Sequence, residues 1–92
     1  SLGVGSVVDG ARIVRSVVGR DTLVAKGAEI VDSIVMDHCR VGADARIHRG
    51  IVDRYNFVEP GEIIAADADQ GRQDARIEGD LIAIRRGRTR PI

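Results

Sequence analysis

The chain has 92 residues, of which 43% are hydrophobic and 30% charged, a composition that suits one small globular domain. Its 14 basic and 14 acidic residues balance, so the overall charge predicts neither a nucleic-acid partner nor an anionic membrane surface, and no apolar run approaches the roughly 20 residues that cross a bilayer. Only Tyr55 and Phe57 are aromatic, so the core must be built from aliphatic, mostly β-branched residues, which favour strands. The single cysteine, Cys39, cannot form an internal disulfide, and a cytoplasmic location is expected.

Aliphatic residues recur through residues 1–66 in steps of six, five and six, which repeat every 17 residues. Two columns of this repeat are invariant along the chain: Val7, Val24, Val41 and Val58 in the first, and Ile13, Ile30, Ile47 and Ile64 in the second. The position two residues before each such anchor is nearly always small, as in the column Ala11, Ala28 and Ala45, where Glu62 is the exception. Because strand side chains alternate with period two, the anchor and the small residue both point inward. Residues 1–66 are therefore predicted to form the coils of a single-stranded parallel β-helix with three short strands in each coil.

The corners of these coils have their own sequence signal. Gly10, Gly27 and Gly61 share one column and Asp44 takes their place in the remaining coil, which predicts a corner with positive φ. Each coil is one residue short of three six-residue sides. The side between the thirteenth and eighteenth positions of the repeat is therefore predicted to be tighter than the others.

Two segments follow the coils within the same domain. Residues 67–80 are polar and are interpreted as a surface excursion. Residues 81–92 are interpreted as a short terminal strand, "LIAI", followed by a basic tail.

The alternation of the strands also predicts which aliphatic residues point outward. Val17, Ile34 and Ile51 should stack on one side of the solenoid, and Leu23 and Phe57 should add apolar surface on another. Two interpretations of the first stripe remain open: the terminal strand covers it, or it contacts another subunit or domain.

Basic residues near the end of the chain predict a possible anion site. Arg85, Arg86 and Arg88 follow the terminal strand, and Arg49 and Arg54 lie on late coils that this strand could reach. Guanidinium groups bind phosphate in a bidentate manner, so the cluster is either a phosphate site or a solvated tail. No aromatic residues alternate with these arginines, which argues against a groove for nucleic acid.

The repeat resembles that of hexapeptide-repeat proteins, and this resemblance implies that the coils wind left-handed. A closer resemblance comes from "SIVMDHCRVGADARIHRGIVDR" with its late Asp-Arg pair, the aliphatic-x-Pro-Gly turn "VEPG" and the terminal "GDLIAIR". Together these segments resemble the C-terminal β-helix domain of bacterial ADP-glucose pyrophosphorylases, the glucose-1-phosphate adenylyltransferases of glycogen synthesis.

That resemblance implies a regulatory and oligomerisation domain. The enzymes join ATP and glucose 1-phosphate to give ADP-glucose and pyrophosphate, using Mg²⁺ in a nucleotidyltransferase domain whose "GGxGTRL" loop is absent from this sequence. We therefore expect this chain to be part of a longer protein, to be inactive alone, and to contain no catalytic residue, metal ligand or cofactor of its own.

The family also implies partners and binding residues. Its members form homotetramers and bind effectors between the two domains, commonly fructose 1,6-bisphosphate and AMP. Arg54 and Arg85 match the arginines that contact the effector phosphate, and Arg49, Arg86 and Arg88 are further candidates. Val17, Ile34, Ile51, Leu23 and Phe57 are the candidate interface residues.

Two alternatives were weighed against this interpretation. A free-standing hexapeptide-repeat acyltransferase would use His38 or His48 as general base. The two histidines are ten residues apart and should lie on different sides of a coil, so they are not expected to share a metal, and Cys39 is expected in the core. The β-helix end of another sugar-nucleotide pyrophosphorylase is the second alternative, and the Asp-Arg and terminal-strand match argues against it.

Overall fold

The structure is a computed structural model that describes residues 10–68 and 72–87. In these ranges the strands are, in chain order, β1 (Arg12–Val14), β2 (Val17–Val18), β3 (Leu23–Val24), β4 (Glu29–Val31), β5 (Ile34–Val35), β6 (Arg40–Val41), β7 (Arg46–His48), β8 (Gly50–Val52), β9 (Phe57–Val58), β10 (Ile63–Ile64), β11 (Ala75–Glu78) and β12 (Leu81–Ile84). Within the part of the chain that is described, no helix is long and apolar enough to cross a membrane.

Each coil gives one strand to each of three sheets. Sheet 1 has the order β1-β4-β7-β10, sheet 2 the order β11-β12-β8-β5-β2, and sheet 3 the order β3-β6-β9. Within the coils the pairing is parallel and advances by 17 residues at each step, so that Ile13 lies beside Ile30 and Ile30 beside Ile47. The fold is an all-β solenoid of about three turns, consistent with the left-handed β-helix of hexapeptide-repeat proteins.

The aliphatic anchors form the core. From the second described coil onward they are almost fully buried: Val18, Val24, Ile30, Val35, Val41, Ile47, Val52, Val58 and Ile64. The small positions beside them are buried too, among them Ala28, Ala45 and Cys39. Burial raises the pKa of the Cys39 thiol, so this cysteine is a protonated core residue, as the sequence predicts. Val7 and the other predicted positions before Gly10 lie outside the described residues.

Small polar residues in the core connect one coil to the next. Ser16 Oγ accepts a hydrogen bond from the Ser33 N–H at 3.0 Å, and Ser33 Oγ accepts one from the Gly50 N–H at 3.0 Å. Thr22 Oγ1 accepts in the same way from the Cys39 N–H at 3.2 Å. Among the described residues no buried side-chain nitrogen or oxygen lacks a partner. These hydroxyls therefore occupy the narrow interior without the free-energy cost of an unpaired polar group.

The corners confirm the predicted glycine column. Gly10, Gly27 and Gly61 have φ of +90°, +81° and +75°, and Asp44 has φ of +61°. The other two corners also use positive φ, with Arg15, Asp32 and Arg49 in one column and Asp21, His38 and Tyr55 in the other. No glycine marks those two columns, so their positive φ was not predicted from the sequence.

One side of each coil is tighter, as predicted. Two residues separate β1 from β2, whereas four separate β2 from β3. The short connection contains the positive-φ residue Arg15, and its equivalent between β7 and β8 is the single residue Arg49.

The terminal strand extends sheet 2 instead of covering it. β12 lies parallel to β8, with Ile82 beside Gly50 and Ile84 beside Val52, and so occupies the place of a further coil. β11 then pairs with β12 in antiparallel fashion. β11 lies within residues 67–80, which were interpreted from the sequence as a surface excursion. No strand was predicted there.

Candidate effector-binding site

Three of the predicted arginines meet at one corner at the end of the solenoid. The chain from Ile84 to Gly87 runs alongside residues 52–55: the Asp53 N–H donates to the Ile84 carbonyl at 3.1 Å, and the Gly87 N–H donates to the Arg54 carbonyl at 2.9 Å. Asn56 Nδ2 donates to the Arg85 carbonyl at 2.9 Å. The main-chain segments that carry Arg54, Arg85 and Arg86 are thereby held side by side, and we call these three residues the arginine corner.

Two of these guanidinium groups have no protein partner in the described part of the chain. The side chains of Arg54 and Arg85 are exposed and form no hydrogen bond or ion pair with another described residue. The nearby aspartates have other hydrogen-bond partners: Asp53 Oδ1 accepts the Arg54 main-chain N–H at 2.7 Å, and the Asp74 carboxylate pairs with Arg72 at 3.2 Å. Asp37, which lines the same groove as Arg54, accepts the Arg20 N–H at 2.8 Å. The arginine corner can therefore offer N–H donors to an anion.

The third guanidinium lies over an aromatic ring. Arg86 Cζ is 5.2 Å from the centre of the Tyr55 ring, within the range of a cation–π contact. The opposite neighbour of that ring is His38, whose ring is parallel to it within 5° at a centroid distance of 5.2 Å. His38 Nδ1 in turn lies 2.9 Å from Asp21 Oδ2. Sequence reasoning missed this column, although the 17-residue spacing of Asp21, His38 and Tyr55 is visible in the sequence.

Arg49 lies at a different corner from the arginine corner. It precedes β8, whereas Arg54 follows β8, and its guanidinium pairs with Asp80 of the β11–β12 turn. At the same corner in the two preceding coils, Arg15 pairs with Asp32 at 2.6 Å. The structure thus does not bring Arg49 together with Arg54, and Arg88 lies outside the described residues.

The predicted outward stripe is present and leads to the arginine corner. Val17 pairs with Ile34 and Ile34 with Ile51 on successive strands of sheet 2; the first two are 45% and 42% exposed. Ile51 is half-buried, because Ala83 of β12 lies beside it and continues the stripe. A shallow groove is lined by the apolar residues Val17 and Ile34 together with Arg54.

Leu23 and Phe57 are exposed on sheet 3, as predicted, but they do not lie on adjacent strands. Arg40 lies between them in the register. Its guanidinium donates to the Asp21 and Cys39 carbonyls, both at 3.0 Å, so its side chain is held along the surface of the coil. Apolar surface on this side is therefore interrupted by a charged group.

The two histidines lie on different sides of the coil, as predicted. His38 is at the corner between sheets 2 and 3, whereas His48 ends β7 in sheet 1. His48 Nε2 lies 2.8 Å from Glu29 Oε1, and this hydrogen bond lowers the pKa of the Glu29 carboxyl below its usual value. In residues 10–68 and 72–87 no group of three or more His, Cys, Asp or Glu could hold a metal ion.

Arg72 is a further residue that sequence reasoning missed. It pairs with Glu62, Nε to Oε2 at 2.6 Å, and donates to the Phe57 carbonyl. Burial by itself lowers the pKa of the guanidinium, but the hydrogen bond and charge of Glu62, with those of Asp74, outweigh burial and raise it. A signal was available in the sequence: Glu62 stands in a column of inward alanines, where a carboxylate needs a partner.

A three-sided parallel β-helix with 17-residue coils and small inward residues between aliphatic anchors defines a hexapeptide-repeat protein. The chain belongs to the family described as GlmU-like, C-terminal hexapeptide, whose model matches residues 1–84.

Curated relatives give a narrower comparison. A glucose-1-phosphate adenylyltransferase from Thermodesulfovibrio yellowstonii is 32% identical over 80 residues, which cover 87% of this chain and 20% of that protein. One from Leifsonia xyli is 37% identical over 68 residues, 74% of this chain and 16% of the relative. One from Rhodopirellula baltica is 32% identical over 85 residues, 90% of this chain and 19% of the relative. The resemblance inferred from the motifs is confirmed, and the chain spans about a fifth or less of the length of these relatives.

Proposed function

We propose that this chain is the regulatory and oligomerisation domain of a glucose-1-phosphate adenylyltransferase, and that Arg54 and Arg85 bind the phosphate of a sugar-phosphate or nucleotide effector. Catalysis would belong to a nucleotidyltransferase domain, and Mg²⁺ would act there, so we assign no residue of this chain to either. Alone, the 92 residues should make no ADP-glucose. A cytoplasmic location is part of the proposal, in keeping with a single buried, free thiol.

One observation carries the effector site. Arg54 and Arg85 come from segments that are 31 residues apart in the chain, yet main-chain hydrogen bonds hold these segments side by side at the end of the solenoid. Both guanidinium groups are exposed and lack a protein partner in the described ranges. Two such groups on neighbouring rungs can each form paired hydrogen bonds to one phosphate.

The outward stripe supports the oligomerisation part of the proposal. Exposed Val17 and Ile34 share a groove with Arg54, so a subunit or domain that packs on the stripe would also approach the effector site. Such a shared surface provides a physical route by which an effector could favour one packing arrangement over another. Leu23 and Phe57 are the second candidate surface.

The direct test is a titration of the 92-residue chain with fructose 1,6-bisphosphate, with AMP as a second probe, followed by NMR of the backbone amides and of the arginine Nε–H groups. We expect saturable shifts at Arg54 and Arg85. Arg54→Ala and Arg85→Ala should each weaken binding about tenfold, since a hydrogen bond to a charged group contributes roughly 1.5–3 kcal/mol. The matched control is Arg76→Ala, which removes an exposed arginine on β11.

Two results would contradict the proposal. The effector site is wrong if Arg76→Ala weakens binding as much as Arg54→Ala, because the response would then reflect only net charge. The same holds if Arg54→Ala and Arg85→Ala both leave activation of the longer protein by the effector unchanged. In the longer protein, the assay is ADP-glucose synthesis with and without effector, and Arg54→Ala should reduce the activation ratio.

A further inference from the structure

We infer that Tyr55 is a positioning residue for the arginine corner: its ring, stacked on His38, holds Arg86 and thereby keeps residues 85–87 beside the segment that carries Arg54. The inference rests on the proposed phosphate site and goes beyond it. It assigns a different role to Arg86, as the anchor of the segment and not as a phosphate ligand.

The geometry of the column supports a fixed ring. Tyr55 is half-buried at a corner with φ of +60°, so its side chain leaves the coil in a defined direction. His38, one coil earlier, has φ of +59° and stacks parallel to it, and Asp21, with φ of +52°, lies within hydrogen-bond distance of His38. Because the three residues repeat at 17-residue intervals, the ladder spacing of the sheets brings each onto the next.

The terminal segment depends on this corner for its position. After Ile84 the described chain is held by three hydrogen bonds: the Arg85 N–H donates to the Asp74 carbonyl at 3.0 Å, Asn56 Nδ2 donates to the Arg85 carbonyl at 2.9 Å, and the Gly87 N–H donates to the Arg54 carbonyl at 2.9 Å. The approach is close: a Cβ on Gly87 would lie 1.9 Å from the Tyr55 carbonyl oxygen. The Arg86 guanidinium over the Tyr55 ring is a further side-chain contact that holds residues 85–87 in place.

The chemistry separates the three arginines into two roles. A cation over an aromatic face is attracted by the ring quadrupole, so the Arg86 guanidinium is held at the Tyr55 ring. Arg54 and Arg85 have no such contact in the described structure. Since Gly87 bonds to the main chain of Arg54 itself, any displacement of residues 85–87 changes the distance between the two phosphate-binding groups.

The experiment uses the 92-residue chain, with fructose 1,6-bisphosphate as the probe and NMR as the readout. Without ligand, the Arg86 Nε–H signal should show the upfield shift that the face of an aromatic ring produces. Tyr55→Ala should remove that shift and weaken binding about three- to tenfold, the range expected for a partly exposed cation–π contact. Tyr55→Phe should keep both the shift and the affinity, because it keeps the ring.

A second variant changes the position of residues 85–87 without replacing an aromatic residue or an arginine. Gly87→Ala should push residues 85–87 away from Tyr55, remove the upfield shift and weaken binding to a similar extent. Circular dichroism and thermal unfolding show whether Tyr55→Ala folds. If it does not, Gly87→Ala still tests whether the position of residues 85–87 determines the affinity. His38→Ala, which removes only the far side of the stack, should give a smaller loss.

The outcomes distinguish the two proposals. If Arg54→Ala and Arg85→Ala leave binding unchanged, the proposed effector site is wrong. If those variants weaken binding but folded Tyr55→Ala and Gly87→Ala do not, the site stands and the positioning role is overturned. A loss in Tyr55→Phe equal to that in Tyr55→Ala would also overturn it, since the hydroxyl and not the ring would then be the group that matters.

Discussion

At the scale of the residue, the corners decide which side chains the coil accepts. All three corner columns have positive φ, a region that costs most L-residues roughly 1–2 kcal/mol each. One column meets this cost with glycine in three of its four coils, whereas the others contain Asp, His, Arg and Tyr. The non-glycine corners support side-chain contacts along the solenoid, such as Arg15 with Asp32 and His38 with Tyr55.

The glycine column makes a prediction at this scale. Gly61→Ala should cost about 1 kcal/mol, because φ is +75° but nothing lies within 4 Å of the new Cβ. Gly27→Ala should cost more, because φ is +81° and the Cβ would lie 2.1 Å from Asp44 Oδ1. Urea unfolding of both variants measures the two free energies.

The control for this pair is a double variant. Combining Gly27→Ala with Asp44→Ala removes the carboxylate that the new Cβ meets and keeps an L-residue at φ of +61°, so the loss relative to Asp44→Ala alone should be close to that of Gly61→Ala. Equal losses in Gly27→Ala and Gly61→Ala would show that φ alone accounts for the cost and that the Asp44 contact does not contribute.

At the scale of the element, the end of the solenoid is closed by pieces that do not belong to the repeat. β12 replaces the next strand of sheet 2, and β11 covers its edge. Beside them Arg72 lies against the last coil with its side chain only 16% exposed, next to Glu62, which points inward where earlier coils have alanine. A solenoid must cover its terminal coil, and this one does so with a hairpin and an ion pair.

Removing the ion pair between Arg72 and Glu62 tests whether it stabilises the terminal coil of the solenoid. Arg72→Ala should lower the free energy of unfolding by about 1–3 kcal/mol, because it removes the donor to Glu62 Oε2 and to the Phe57 carbonyl, and Glu62 Oε1 keeps only the Glu59 N–H. Arg76→Ala, four residues away on the exposed face of β11, is the matched control and should change stability by less than about 0.5 kcal/mol. Thermal and urea unfolding give the comparison. Similar losses in the two variants would mean that Arg72 is not part of the end closure.

At the scale of the whole molecule, charged side chains connect the coils on the outside as hydroxyls do inside. Glu29 contacts His48 and Arg12 from the coils on either side, and Asp32 contacts Arg15. The pKa of Glu29 is lowered chiefly by its hydrogen bond to His48, and that of Asp32 chiefly by its hydrogen bond to Arg15. Both carboxylates therefore favour the folded state when they are ionised.

A pH dependence follows with a definite sign. A carboxyl whose folded pKa lies below its unfolded value, about 4.3 for Glu and 3.9 for Asp, contributes stability above the unfolded pKa and loses it as the pH falls through the folded pKa. The melting temperature should therefore fall on acidification below about pH 4.5. Glu29→Gln should have a lower melting temperature than the parent chain at pH 7 and should lose less on acidification.

The control is Glu78→Gln on β11, where the glutamate makes no ion pair with another described residue. It should leave the acid slope unchanged. If Glu29→Gln showed the same acid slope as the parent chain, the contact with His48 would not contribute to the pH dependence.

The sequence predicted the repeat well and the end of the molecule poorly. The 17-residue period, the buried anchors, the tight side and the positive φ of the glycine column are confirmed, because each depends on a property that every coil must satisfy locally. The strand at Leu81–Ile84 was predicted, but its antiparallel partner β11 was not, since "ARIE" alternates over only four residues inside a polar segment. Arg49 and Arg54 were grouped because both lie on late coils that the terminal strand could reach, whereas β8 lies between them and places them at different corners.

By itself the sequence determined the architecture, because a 17-residue period of aliphatic and small residues can bury its apolar side chains only by winding into a three-sided coil. It also determined which aliphatic residues point outward, since side-chain direction alternates along a strand. Only the tertiary structure decided what happens where the repeat stops: that β12 continues sheet 2, that Arg86 lies over Tyr55, and that the segment after β12 runs beside Arg54. These contacts join segments about 30 residues apart with no shared period, so their geometry depends on how the chain returns to the solenoid and not on any local pattern.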